Sequence, residues 1–571
     1  MSGDDQSDAL AARDAQAWAV LEAGDPARAA DLFEALLAEQ VRVLGPDHPD
    51  TLTTRGNLAG TVRQAGDLAR AVGLHEQLVG EYARVLGPEH PRTLNTRSSL
   101  AMLLRESGEP ARAAGLFEAL LEDLVRVRGV DQPETLATRG NLASTVLEAG
   151  DTTRAVALFE VLLEEQERVK GPEHLDTLFT RGHLASVVWE AGDPGQAAAL
   201  FTALLATQAR VEGPDHPDTL TTKRALALAV KEAGDPARAA GMLEALLGDW
   251  LRVLGPDHPL TLTTRNDLAL AVLEAGDPVR AAGMYKALLE EEARVLGPGH
   301  PRTLTTRHNL ASAVLEAGDP ARAAGMYEAL LGDRSRVLGP ENPHTLSTRA
   351  GFASAVKEAG DPARAAGMYE ALLADRLRVL GPDHPDTLVT RGYLASAVLE
   401  AGDPARAADM YQTLLAEQVP VLGPDHPDTL TTRDHLASAV KEVGDPARAA
   451  GMFEALLGDS LRVLGPDHLH TLTVRNNLAL AVLEAGDPAR AVGMFEALLG
   501  DRMRLLGPDH PHTLSTRVNL AVARYRLGRR SEAVADLRRL LADLGSLKLR
   551  DTVLAQRARQ LLESWTQQNG W

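Results

Sequence analysis

Glycine recurs through this chain at a fixed interval. Gly45, Gly87, Gly129, Gly171, Gly213, Gly255, Gly297, Gly339, Gly381, Gly423, Gly465 and Gly507 each stand 42 residues after the last, and a second series at the same step runs from Gly24 to Gly528. A fixed period in this range means a solenoid, in which each unit buries its apolar face only against its neighbours. It overrules the several separate domains that 571 residues would otherwise suggest, because a solenoid can be any length.

The stretch from Leu380 to Gly423 holds one whole unit. From Thr387 to Gly402, the residues Leu388, Leu394, Ala395, Val398 and Ala401 fall on one helical stripe. Asp386 or Thr387 is expected to cap that helix. Gly402 supplies a left-handed stop, Asp403 caps the next helix, and Pro404 sits at its first position, where a missing N–H costs nothing. So tight a turn makes the helices antiparallel. The second helix is expected to run to about Leu422, with Ala407, Ala408, Met410, Tyr411, Leu414 and Leu415 apolar, and to stop at Gly423 and Pro424.

These residues carry a resemblance. Asn-Leu-Ala, then glycine, Ala-Arg-Ala-Ala, an aromatic and Glu-Ala-Leu resembles the tetratricopeptide repeat. The 42-residue period and the linker Leu-Gly-Pro-Asp-His-Pro-Asp-Thr resemble its long variant in kinesin light chains, and similar arrays form the tails of bacterial regulatory NTPases. The resemblance covers residues 8–543. It implies an all-α solenoid, a right-handed superhelix of about thirteen antiparallel helix pairs, with the first helix of each pair lining a concave surface. This fold is a general interaction scaffold and by itself says little about function.

The ends depart from the pattern. Residues 1–7 read as disordered, and Asp8 to Ala23 as an atypical first helix, since an end unit meets water. Pro420 replaces the arginine of other copies (Arg378, Arg462), which predicts a local kink or early end. Residues 544–571 read as a basic capping helix and tail, with a helix over Thr552 to Thr566. Arg529, Arg530, Arg538, Arg539, Lys548, Arg550, Arg557 and Arg559 make this end basic, either as a solubilising cap or as a docking site for an acidic partner.

Composition excludes several function classes. Cysteine is absent, so there are no disulfides, thiolate metal sites or cysteine nucleophiles. The start of the sequence has no apolar segment of signal-peptide type, and no apolar run approaches membrane-spanning length, so a cytoplasmic protein is expected. A net charge of −20 disfavours nucleic-acid binding. Arginine far outnumbers lysine, which suits fixed ion pairs but also follows from a GC-rich genome.

No phosphate-binding, zinc-protease, nucleophile-elbow or dinucleotide motif is present. The linker histidines, His48, His90, His174, His216, His258, His300, His384, His426, His468 and His510, nearly all follow an acidic residue. A histidine–carboxylate pair can serve a catalytic triad, but here it recurs in almost every unit beside no special nucleophile. It is read as a strut that ties the linker or caps the next helix. Successive histidines lie one repeat apart, too far to share an ion. No catalytic residue, metal ligand or cofactor is expected.

Near-identical copies make the differing columns informative. The two columns before Leu-Ala vary most, with Asn57, Asn141, His183, Asn266, Asp267, His308, Asn309, Tyr393, Asp434, His435, Asn476 and Asn477 among them. The resemblance implies that such residues hold a bound peptide backbone. The competing reading is drift at exposed positions. The end of the second helix also varies (Asp249-Trp250, Glu291-Glu292, Gln418-Val419) and counts with the exposed columns. A glutamate column, including Glu232, Glu274, Glu316, Glu358 and Glu400, opposes its own helix dipole at about 0.3–1 kcal/mol each. Either ion pairs to Arg322, Arg364 and Arg406 offset that cost, or the column forms an acidic ladder that selects basic ligands.

The expectation is therefore a non-catalytic scaffold or adaptor that binds a peptide or partner helix with a basic segment. The alternatives are a ligand-sensing regulator acting with an NTPase on another chain, and a scaffold enzyme of a biosynthetic pathway. Oligomeric state is not readable from this sequence.

Overall fold

The computed structural model describes residues 3–546 and 552–569, with side chains described over 8–546 and 552–567. Within these residues all regular structure is helical: thirteen antiparallel pairs, from Gly3–Glu22 with Pro26–Val43 to Pro511–Arg526 with Arg530–Ser546, and a last helix, Val553–Asn569. The first helix begins at Gly3, inside the segment expected to be disordered. Met1 and Ser2 of that segment, and Lys548 and Arg550 of the basic end, lie outside the described residues.

The chain divides into two compact units, 1–280 and 281–571. In each, consecutive helices pack on their neighbours in sequence. Alanine dominates the contacts: Ala395, Ala397 and Ala407 are fully buried beside Leu394, Val398 and Tyr411. Such small residues let helix axes approach closely. Ala401 stands exposed at the end of its helix, outside the stripe to which the sequence assigned it.

Both turns form for local reasons. Gly402 has φ +94°. Its N–H donates to Leu399 O at 3.0 Å and the Asp403 N–H to Val398 O at 3.2 Å, a Schellman stop. The Asp403 carboxylate then accepts from the Arg406 N–H at 3.1 Å to start the second helix.

The linker is held differently from expectation. The first helix begins at Pro385, and its cap is His384 rather than Asp386 or Thr387. All the linker histidines named above do this, each Nδ1 accepting from the backbone N–H two residues on at 3.1–3.3 Å. The strut reading therefore holds. Where Asn342 replaces histidine, its Oδ1 accepts the same bond from His344 N–H at 2.9 Å. Thr387 acts elsewhere, since its buried hydroxyl donates to Gly381 O at 2.9 Å and closes the linker.

Two recurring sets of arginine ion pairs brace each unit. One clamps the helices of a pair, as in Arg97–Asp123 (2.6 Å), Arg307–Asp333 (2.7 Å) and Arg475–Asp501 (2.7 Å). The other ties the end of a second helix to the preceding linker, as in Arg378–Glu341 (2.7 Å), Arg462–Asp425 (2.6 Å) and Arg504–Asp467 (2.8 Å). Pro420 occupies the arginine position of the second set, so Asp383 lacks that partner. The helix does not end early there; it runs Pro404–Leu422 with the proline in its last turn.

At the C-terminus, Trp565 stacks on Tyr525 with ring centroids 4.1 Å apart, and Ala555 and Ala558 are buried with it. The last helix thus covers the final pair.

Candidate functional site

In each first helix, the stripe opposite the core faces outward. In the helix Pro385–Glu400 it is Val389, Tyr393, Ser396 and Glu400; in the helix Leu175–Glu190 it is Phe179, His183, Ser186 and Glu190. Two consecutive first helices, with a second helix beneath them, enclose a notch. Unit 1 holds two notches side by side. One, of about 460 Å3, is lined by Asn141, Ser144, Gln166, Phe179 and His183. The other, of about 570 Å3, is lined by Phe179, His183, Ser186, Gln208, Glu212 and Asp218. Phe179 and His183 form the wall between them, their rings 4.3 Å apart, and Phe179 is 70% exposed. Partial desolvation by the Phe159 and Phe179 rings holds the His183 pKa below the usual histidine range. A third notch, of about 590 Å3, includes Asp14, Gln40, His48 and Asn57 near the first pair.

The floor of each notch comes from the end of the second helix, and this corrects the sequence reading. Trp250, Glu292 and Gln418, expected to be exposed, are 1%, 1% and 4% exposed. Their column also holds Gln40, Gln166, Gln208, Arg334, Arg376, Ser460 and Arg502, all buried. It is the most varied buried column in the array. The spacing carried the signal: Ala407, Tyr411, Leu414 and Gln418 continue one helical stripe at steps of four, three and four.

Several floor residues reach the buried threonine of the following repeat. Glu292 accepts from Thr306, and Arg334, Arg376 and Arg502 donate to Thr348, Thr390 and Thr516 at 2.6–2.7 Å. The glutamine floors differ. The Oε1 atoms of Gln40, Gln166, Gln208 and Gln418 are buried and accept no hydrogen bond.

The residues expected to hold a ligand separate into two groups. Some are consumed by the array. Asp267 is buried and accepts from Arg224 Nε at 2.6 Å, and Asp434 is buried and accepts from Asn477 Nδ2 at 3.1 Å. Asn476 accepts from Asn519 at 3.2 Å. Burial raises the Asp434 pKa, and desolvation of the ring face packed on Tyr411 lowers that of His435 beside it. His308 is pushed down to about 4 by burial, with Arg334 and His344 adding to the shift. The others stay open: His183, Tyr393 and His435 are exposed, Tyr393 against Tyr369 and His435 against Tyr411, and Asn57 and Asn141 are half-buried at notch walls. Asn266 and Asn309 are half-buried and already engaged within the chain.

The glutamate column is exposed, and its partners are not those expected. Arg406 pairs with Glu370 on the preceding second helix at 2.7 Å. The column is met instead by the residue one position before it in the preceding repeat: Arg63–Glu106 (2.8 Å), Lys231–Glu274 (2.9 Å), Lys357–Glu400 (2.8 Å), and the Trp189 indole N–H to Glu232. Glu316 and Glu358 are exposed at the same place in their repeats.

Family models described as tetratricopeptide repeat match residues 17–80 and 134–208, 99–168 and 224–301, and, in successive repeats, 303–386 and 429–544. The chain belongs to the tetratricopeptide repeat proteins. Among solved structures similar to it, a Podosopora anserina putative kinesin light chain of nearly identical TPR-like repeats is 24% identical, with a TM-score of 0.32 over 36% of this chain and 97% of that one. A singly substituted form of the same protein is 25% identical, with a TM-score of 0.33 over 36% of this chain and 96% of the other. BtubC (BKLC) from P. vanneervenii is 22% identical, with a TM-score of 0.35 over 40% of this chain and 92% of that one. No match was found among curated proteins. As a tetratricopeptide repeat protein, the chain has a scaffold that in general mediates protein–protein interaction. No helix among the described residues is long and apolar enough to cross a membrane.

Proposed function

We propose that this chain is a non-catalytic interaction scaffold whose first-helix face takes an extended peptide segment or a partner helix. The observation that carries the reading is the double notch of unit 1. An exposed aromatic pair, Phe179 and His183, divides two hollows, and each hollow is floored by a buried glutamine with an unused acceptor. A buried acceptor left unpaired is costly, and an N–H donor brought by a ligand removes that cost. Exposed rings beside hollows of this kind supply contact area at low entropic cost.

The charge of the surface favours a basic segment. The net charge is −20, and the glutamates beside this face keep roughly half their surface in water, Glu148 at 50% and Glu274 at 41%. Attraction of this kind is screened beyond a Debye length of about 8–10 Å and weakens with salt.

The test is selection of binding peptides from a random display library on the full chain, followed by calorimetry at two salt concentrations. The reading expects a convergent motif containing Lys or Arg. Binding should weaken at higher salt, and should fall about tenfold, or ~1.4 kcal/mol, when Phe179→Ala and His183→Ala are combined. No convergent motif, or binders indifferent to both the double variant and salt, would place recognition elsewhere.

A further inference from the structure

We propose that Glu212, His216 and Asp218 form a binding site for a divalent cation of the zinc class at the edge of the notch lined by Phe179, His183 and Gln208. One irregularity interrupts this regular chain. The residue that ends the second helix, just before the loop glycine, is leucine in most repeats: Leu44, Leu86, Leu254, Leu296, Leu338, Leu380, Leu422, Leu464 and Leu506. Two repeats carry a cation instead, and each meets the acid at the second position of the following first helix. Arg128 pairs with Glu134 at 2.8 Å, and Lys170 pairs with Asp176. In the next repeat the acid is kept as Asp218, but the cation is replaced by Glu212. The slot that elsewhere receives a positive side chain from the chain itself is now lined by two carboxylates.

The linker histidine lies between them. Glu212 Oε2 is 3.5 Å from His216 Nδ1, which is 3.8 Å from Asp218 Oδ2, and one donor atom from each residue falls within 4.8 Å of the others. Donors bound at about 2.1 Å to a tetrahedral ion stand about 3.4 Å apart, so little movement is needed. One imidazole and two carboxylates form a donor set suited to zinc and its neighbours. The Glu212 side chain is 10% exposed, and its Oε2 is buried without a hydrogen-bond donor. An anionic oxygen in that state requires a positive partner. Asp218 is 69% exposed and borders the notch, which leaves room for water to complete the coordination.

The array contains its own controls. His48 with Asp50 (3.7 Å) and His426 with Asp428 (3.8 Å) reproduce two of the three ligands, but Leu44 and Leu422 stand where the third would be. The ion has one competitor within the chain. His216 Nδ1 now accepts from the Asp218 N–H at 3.3 Å, and coordination through that lone pair gives up this cap.

The experiment adds Zn2+ alone to the chelator-stripped full chain at neutral pH, followed by calorimetry and thermal melting. Co2+ absorption then reports coordination. One equivalent is expected to bind and to raise the melting temperature. Glu212→Leu, the residue nine other repeats carry, should keep the helical circular dichroism yet lower affinity at least tenfold and abolish the thermal shift. Asp218→Asn should weaken binding in the same direction, and His48→Ala should leave it unchanged. No saturable binding would overturn the proposal, in favour of a partner's basic side chain as the counter-charge of Glu212. Binding unaltered by Glu212→Leu would overturn it too, as adventitious uptake at exposed linkers.

Discussion

His258 holds the start of its helix through one lone pair, accepting from Leu260 N–H at 3.2 Å. Removing a cap of this kind costs about 1 kcal/mol. His258→Ala is therefore expected to lower stability by that amount and to speed amide exchange locally at Leu260, leaving distant repeats alone. Amide exchange that rose throughout the chain would contradict a purely local strut. His308 acts in the opposite sense to a surface histidine. Its pKa falls from 6.5 to about 4 on folding, so below pH 6.5 the unfolded chain takes up a proton that the folded chain refuses until pH 4. Stability contributed by the neutral ring is complete above pH 6.5 and is lost as pH falls through that window, by up to about 1.4 kcal/mol per unit. His308→Asn should flatten that part of the stability–pH curve; an unchanged slope would mean the ring stays hydrated. The linker histidines could be read as struts because they repeat. Asp267 and Asp434 could not be separated from open groove residues, because their partners, Arg224 and Asn477, are 43 positions away on the neighbouring first helix.

The second helix is only half legible in its sequence. Its start, its stop and its alanine-rich packing follow from Asp403, Gly423 and the apolar stripe. Its last turns do not, because variable polar residues such as Gln418 and Glu292 read as surface until the next first helix is laid over them. A polar residue is buried there because the following repeat supplies acceptors: Arg334 donates to His344 O and Thr348 Oγ1 at 2.7 Å each. Pro420 is the opposite case, an element-level departure that the sequence does reveal but whose effect is milder than an early end. It leaves Ala416 O without its helical donor and Asp383 without the arginine that other repeats supply. Pro420→Arg should restore both and raise stability by about 1 kcal/mol or more, read from chemical denaturation. A loss of stability would show that this helix end has adapted to the proline.

Across the whole chain, one short-range grammar is written thirteen times, and that is why the fold could be read where the site could not. Tight turns, a linker cap that is histidine in ten of the pairs, and an alanine-rich interface specify the pairs, and each pair needs only its neighbours. The recognition we propose rests instead on departures from the grammar, such as Phe179, Gln208 and Glu212, which come together only when adjacent repeats are packed. If the stability of the array is a sum of pair and neighbour terms, an internal repeat is dispensable. The direct measurement is far-ultraviolet circular dichroism and thermal unfolding of a chain lacking residues 339–380, which rejoins Leu338 to Gly381 in register. Mean residue ellipticity should match the full chain, with total signal reduced only in proportion to length and a cooperative melt retained. Collapse of helicity beyond the excised repeat would contradict the account, because it would require long-range contacts that a nearest-neighbour array does not have.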